Sequence, residues 1–284
     1  MSLGWSLPSQ TTLAALAEQF EVFLLDQFGV LHDGLRPYEG AVAALEFLQA
    51  QGKQVALISN SGKRAEVNLQ RMETLGFARD LFQQVVTSGE VAHSLFQQEL
   101  SSLGLRPGAR YYAIARDPDR SALAGTSLQE VSSVNEAEVI LLLGSEADWE
   151  ILDTTLDELR PAWERALPCV CLNPDKWMLT ASGLVPGSGA IADRYAEQGG
   201  SVFWIGKPYP QIYEFAQRLL KFERSDAVAI GDSIEHDVAG AVRFGCSGVL
   251  VRSGILHAAS PEELKALMEE HQAQPRFVLE RFAP

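Results

Sequence analysis

The chain has 284 residues, 46% apolar and 21% charged, with 37 acids against 23 bases and a net charge of −14. That length buries a sizeable core in one large or two modest domains, while the acidic balance argues against a nucleic-acid backbone binder, since a polyanion is repelled unless a local basic patch overcomes the global field. No apolar run approaches the ~20 residues that span a bilayer, so no membrane partner is expected.

Residues 8–20 carry apolar positions at helical spacing, and EVFLLD follows as a buried strand that stops at Asp26. Gly40–Gln51 reads as a helix ended by Gly52, KQVALISN as a second buried strand, and Arg64–Leu75 as a helix stopped by Gly76. Lys63, Arg64 and Arg71 form the densest basic stretch and read as one face of that helix. QQVVTSGE supplies a third strand before a helix through Val91 to Leu103. From about Leu105 the pattern changes to short strands (RYYAIA, EVILLLG, CVCLN) with one helix between them, Asp148–Leu159. Alternation then resumes with SVFWIGKP, the helix Gln211–Leu220, DAVAIGDS, the helix Val238–Phe244 and GVLV. Strands alternating with helices of this length imply a parallel α/β sheet with right-handed crossovers, here interrupted by an insertion. The expected division is a discontinuous core of 1–90 plus 200–284 around an insert of 91–199.

The cysteines, Cys169, Cys171 and Cys246, are too few for a disulfide framework, and the first two have the spacing of one strand face. A reducing, cytoplasmic setting is expected. The opening MSLGWSLPSQ has neither the basic nor the apolar region of a secretory leader, and its MSL has the look of an expression scar.

In an open parallel sheet the site lies at the carboxyl ends of the strands. Those ends are polar here: Asp26 after LL, Ser59 and Asn60 after LI, Lys207 after WIG, and Asp232 after AIG. Taken singly, such residues cap helices or close turns. Together, the order and spacing of Asp26, Ser59, Lys207 and the GDSIEHD segment resemble the four motifs of the haloacid dehalogenase (HAD) superfamily over nearly the whole chain. DQFGVLHDG, PYEGAVAALEFLQAQGKQVALISNS, CLNPDKW, PGSGAI and GKPYPQIYE are similar to its class IIA branch, that of sugar, nucleotide, 4-nitrophenyl and pyridoxal phosphate phosphatases. The resemblance implies a doubly wound, Rossmann-like α/β core with an inserted α/β cap of the C2 type. It also implies a Mg²⁺-dependent hydrolase of a small phosphorylated metabolite.

The resemblance assigns the roles. Asp26 is the nucleophile, attacking phosphorus to give an aspartyl-phosphate. Mg²⁺ is held by the Asp26 carboxylate, the Phe28 main-chain carbonyl and Asp232, with Asp237 in a supporting position. Ser59 and the Asn60 backbone N–H bind phosphoryl oxygens, and Lys207 neutralises charge on the nucleophile and the phosphoryl group.

The departure is Phe28, where most HAD phosphatases carry a second Asp that protonates the leaving oxygen. Loss of general acid–base catalysis is worth ~10²–10⁴-fold in rate, and falls hardest on alkoxide leaving groups. Three readings stay open: His32 or His236 supplies the proton, the reaction needs little acid help, or the protein binds a phosphorylated ligand without turning it over. A metal-independent dehalogenase is a further alternative, in which the acidic GDSIEHD segment would serve no purpose.

In the insert, Asn173, Asp175, Lys176 and Trp177 are candidate cap contacts to substrate, although NPD is also a good turn and a Trp commonly fills a core. At the C-terminus, Ser260 caps PEELKALMEEH, whose Leu264, Leu267 and Met268 face either the sheet or a second copy of the chain in a homodimer.

Overall fold

Val22–Leu25 is apolar at every position and buried throughout, as a strand must be when it has strands on either side and helices on both faces. The computed structural model describes residues 8–145, 149–180 and 183–284, so the leading MSL and the expected helix start at Asp148 lie outside the described residues.

In chain order the first elements are β1 (Ser9–Gln10), α1 (Leu13–Gln19), β2 (Val22–Leu25), α2 (Ala41–Ala50), β3 (Gln54–Ser59), α3 (Ala65–Thr74) and β4 (Gln84–Thr87). There follow α4 (Ser88–Gln98), β5 (Arg110–Ile114), β6 (Gln129–Glu130), β7 (Val139–Leu142), α5 (Trp149–Glu164), β8 (Pro168–Cys171), β9 (Trp177–Thr180), β10 (Gly183–Pro186), α6 (Ser188–Glu197) and β11 (Ser201–Trp204). The chain ends with α7 (Pro210–Leu220), β12 (Ala227–Gly231), α8 (Ala239–Phe244), β13 (Ser247–Val251), α9 (Pro261–His271) and β14 (Phe277–Leu279). Two compact units result. The larger comprises the chain up to Ser59, Glu66–Val86 and Lys207–Pro284; the smaller comprises Asn60–Ala65 and Thr87–Gly206.

The larger unit holds a seven-stranded sheet in the order β1-β14-β13-β12-β2-β3-β4. β2 pairs in parallel with β12 on one side and with β3 on the other, and Leu25 is in register with both Ile230 and Leu57. From β2 the chain works outward through β3 and β4, whereas from β12 it works outward in the opposite direction. The order therefore reverses between β2 and β12, which opens a crevice at their carboxyl ends. Asp26 and Asp232 are the residues that emerge there.

The smaller unit holds a five-stranded parallel sheet, β11-β8-β7-β5-β6, and the antiparallel β9–β10 hairpin. Leu152, Leu159, Ala162, Ile191 and Tyr195 from α5 and α6 pack on Ile140, Leu142, Cys169 and Cys171. The two cysteines thus share a strand face, and all three cysteines are free thiols.

Several elements differ from expectation. Residues 9–10 form a strand beside β14, and α1 begins only at Leu13, where Thr12 Oγ1 accepts the Ala15 N–H. SVFW is not a strand of the main sheet; β11 pairs with β8 in the smaller unit, and Lys207 lies beyond its end. α5 runs on through Pro161 to Glu164, because Leu156, Leu159, Ala162 and Trp163 continue the apolar face that packs on the core, which outweighs the donor that proline removes. α6, the β9–β10 hairpin and β14 are additional to the elements read from the sequence. Lys63 and Arg64 precede α3 and turn to separate carboxylates, Asp117 at 2.6 Å and Glu90 at 2.7 Å, so they share no helix face with Arg71.

α9 carries a complete capping box, with the Glu263 N–H donating to Ser260 Oγ and the Ser260 N–H to Glu263 Oε2. Leu264, Leu267 and Met268 pack on Ile234, Val238 and Leu250, which covers the apolar stripe. Ser260→Ala should therefore lower the unfolding free energy by about 1 kcal/mol, read as a shift of the urea midpoint at unchanged slope.

Candidate active site

Asp26 leaves β2 with its N–H still donating to the Ile230 carbonyl, so its side chain issues from the carboxyl edge of the sheet. Lys207 Nζ lies 2.7 Å from Asp26 Oδ1 and 2.7 Å from Asp237 Oδ1, and one ammonium thus joins two carboxylates. Asp237 is carried by a single π-turn, Ile234–Val238, in which the Val238 N–H reaches back five residues to the Ser233 carbonyl. Its second oxygen accepts the Ser233 N–H at 3.1 Å. Asp232 Oδ2 accepts the Ile255 N–H at 2.8 Å.

Glycines make this convergence sterically feasible. A Cβ on Gly231 would lie 1.9 Å from Asp237 Cγ, and a Cβ on either Gly29 or Gly254 would lie 1.9 Å from Asp232 Oδ2. Gly29 also has φ +86°, which side-chain-bearing residues rarely adopt.

Oxygens of Asp26, Asp232 and Asp237 lie within 4.8 Å of one another, and the Lys207 ammonium bridges the first and the last. Burial pushes the Asp26 carboxyl up to about 7; Lys207 opposes that shift and Asp237 adds to it. Burial pushes Asp232 up to about 8, reinforced by the charges of Asp26 and Asp237 and opposed by the Ile255 N–H and Lys207. Burial alone would discharge Lys207, but Asp237 and Asp26 hold it well above the usual lysine range. Such a set, hard oxygen donors in excess over the local positive charge, fits a divalent cation.

Phe28, two residues after Asp26, is 38% exposed. His32 is buried, its ring edge-to-face with Phe28 at 6.0 Å. Its Nδ1 accepts the Gly34 N–H at 3.0 Å, which leaves the proton on Nε2, a buried atom with no hydrogen-bond partner among the described residues. Burial, helped by the Arg71 charge, brings the His32 imidazole down to about 4, so it is neutral at pH 7. His236 is mostly buried, with Nε2 3.9 Å from a Glu235 oxygen.

Ser59 ends β3, half-buried. Asn60 opens the smaller unit, where its Nδ2 donates to Asp175 Oδ1 at 2.7 Å. In that unit the Asp175 N–H donates to Asn173 Oδ1, making NPD a turn, and Lys176 pairs with Asp193 at 3.0 Å. Trp177 is half exposed rather than a core residue.

A family model of haloacid dehalogenase-like hydrolases matches residues 23–129, and a second, HAD-hydrolase-like, matches residues 204–283. The chain belongs to the haloacid dehalogenase-like hydrolases. Its relatives include an acid sugar phosphatase from Staphylococcus haemolyticus, 25% identical over 92% of this chain and 93% of that one. A haloacid dehalogenase-like hydrolase from Brucella suis has a TM-score of 0.80 at 26% identity, covering 97% of this chain and 99% of that structure. A glycerol phosphate phosphatase from Mycobacterium tuberculosis, solved with magnesium, shares the fold with a TM-score of 0.70 at 23% identity, over 94% of this chain and 77% of that one. Within the family the present chain falls in the class IIA, phosphatase-type branch.

For this HAD-like hydrolase the sequence reading missed the supports of the carboxylates: Gly29, Gly231, Gly254, the Ser233 N–H and the Ile255 N–H. The GDS run was the only local signal, since a glycine before a strand-end acid permits a close return of the chain.

Because folding raises the Asp232 carboxyl from its ordinary value of 3.8 to about 8, the folded state holds a proton there that the unfolded state has lost. Stability from this group is full below pH ~4 and declines as pH rises through 8. In EDTA, Asp232→Asn should therefore gain stability relative to the wild type as pH rises from 5 to 8. A constant or shrinking difference in urea unfolding would contradict the raised carboxyl.

Proposed function

We propose that this HAD-like hydrolase is a magnesium-dependent phosphatase of a small phosphorylated metabolite that works through an aspartyl-phosphate at Asp26. The observation that carries the proposal is the ammonium of Lys207 held 2.7 Å from both Asp26 and Asp237 beside the third carboxylate, Asp232. Attack by Asp26 forms an aspartyl O–P bond as the ester P–O bond breaks, and water then attacks phosphorus to regenerate the carboxylate. Lys207 aligns the nucleophile and offsets phosphoryl charge, while Ser59 and the Asn60 N–H bind phosphoryl oxygens. Asp26, Asp232 and the Phe28 main-chain carbonyl would hold Mg²⁺, which supplies the charge that three carboxylates and a phosphate require. Asp237, with both oxygens already accepting from Lys207 and Ser233, orients the ammonium. In this reading, residues 91–199 serve as the cap that selects the leaving group, with Trp177 as its exposed contact.

Phe28 has no proton to give. His32, neutral with Nδ1 occupied, is poorly suited to act as an acid at pH 7, which leaves His236 as the remaining imidazole of the two. Unless His236 supplies the proton, the enzyme is selective for leaving groups that depart without strong acid help. Two buried carboxylates beside the nucleophile disfavour the dehalogenase reading, because they repel a departing halide. A binder without turnover is the second reading, and Phe28 is what favours it.

Phosphate release in Mg²⁺ tests the proposal. Asp26→Asn should abolish turnover, and the wild type should favour 4-nitrophenyl phosphate over a sugar phosphate, with Phe28→Asp raising sugar phosphate hydrolysis selectively by ~10²-fold or more. Equal efficiency on the two esters in the wild type would refute the missing acid. Saturable ester binding with no phosphate released over hours would establish the binder.

A further inference from the structure

Phe28 and Arg71 converge over Gly34. A Cβ on that glycine, whose φ is +94°, would lie 3.1 Å from Phe28 Cε2 and 3.6 Å from Arg71 Nη2. The bare glycine therefore lets an aromatic edge and a guanidinium approach the same point of the backbone. Phe28 is two residues from the nucleophile, a span of at most about 7 Å of chain.

Arg71 is exposed on α3, and its guanidinium makes no ion pair or hydrogen bond among the described residues. The acids nearest to it in sequence are directed elsewhere. Asp33 is held by Arg36 at 3.5 Å and by the Leu35 and Arg36 N–H groups. Glu66 and Glu73 both turn to Arg79, at 2.6 and 3.8 Å. The local carboxylates are thus engaged with other partners, and the Arg71 charge is felt instead across the Phe28–His32 turn, where it helps keep His32 neutral.

We propose that Arg71, with Phe28 beside it, forms a subsite for a second anionic group on the leaving group of the phosphate ester, a carboxylate or a phosphate. The inference rests on the phosphatase reading for the placement of the ester. The guanidinium fork matches two oxygens of either anion, and the Phe28 ring packs on the carbon frame between anion and ester. Position 28 thereby contributes to substrate choice through its ring.

The test measures equilibrium binding to Asp26→Asn protein in saturating Mg²⁺, by calorimetry, for glycerol 3-phosphate, 3-phosphoglycerate and glycerol 1,3-bisphosphate. These share a three-carbon frame and present no second anion, a carboxylate or a phosphate. At least one of the two doubly anionic esters should bind ~10–100-fold more tightly than glycerol 3-phosphate, and which one does identifies the anion. Adding Arg71→Ala should cut that ratio at least tenfold, and Arg71→Lys should restore part of it. A ratio unchanged by Arg71→Ala, an absence of preference, or an absence of binding overturns the subsite. Turnover of the same esters by the wild type separates the two proposals: an Arg71-dependent ratio without phosphate release retains the subsite and removes the phosphatase, whereas release with a flat ratio does the reverse.

Discussion

Three carboxylates, two of them on one ammonium, are held together against their own repulsion, and the rest of the larger unit is arranged to impose that crowding. Asp26 and Asp237 each place an oxygen on Lys207, whose charge survives burial because of them. Asp232 sits nearby with one backbone N–H as its polar support. The raised carboxyls of Asp26 and Asp232 record what remains uncompensated. Folding alone would be served better by apolar residues than by such a cluster.

The backbone supplies the geometry. Reversal of strand order between β2 and β12 brings two strand ends side by side, and the π-turn that follows returns Asp237 over Gly231. Gly29 and Gly254 close on Asp232 from separate loops, tied together by the Ser253 hydroxyl donating to the Gly29 carbonyl. Each support works by leaving out a methyl group or by aiming an amide, so the acids owe their positions to groups with no chemistry of their own.

That explains what could be read in advance. Alternation of apolar strands with amphipathic helices was visible in EVFLLD, KQVALISN and DAVAIGDS because their burial pattern is local, and the strand-end acids and lysine stood out as polar stops. SVFW carries the same local pattern yet belongs to the second sheet, since strand pairing is decided by partners distant in sequence. Pro161 would have ended α5 on propensity alone, but the packing of Ala162 and Trp163 carried the helix through it. The neutrality of His32 was invisible, for it follows from burial and from an N–H two residues on. Arg71 has the same local signature as Lys63 and Arg64, and only the distant partners Asp117 and Glu90 set those two apart from it.

The larger unit is assembled from three separate stretches of chain, whereas the smaller one is nearly continuous. During synthesis, β2 emerges early but cannot gain its β12 neighbour until almost the whole polypeptide has been made. The smaller unit can finish folding while that apolar strand still waits with one edge open, exposed to the pairing errors to which unsatisfied edges are prone. Asp26 likewise meets Lys207 only after all the intervening residues exist. No fragment of the nascent chain carries the assembled cluster, which comes together in one step, with the closing of the sheet.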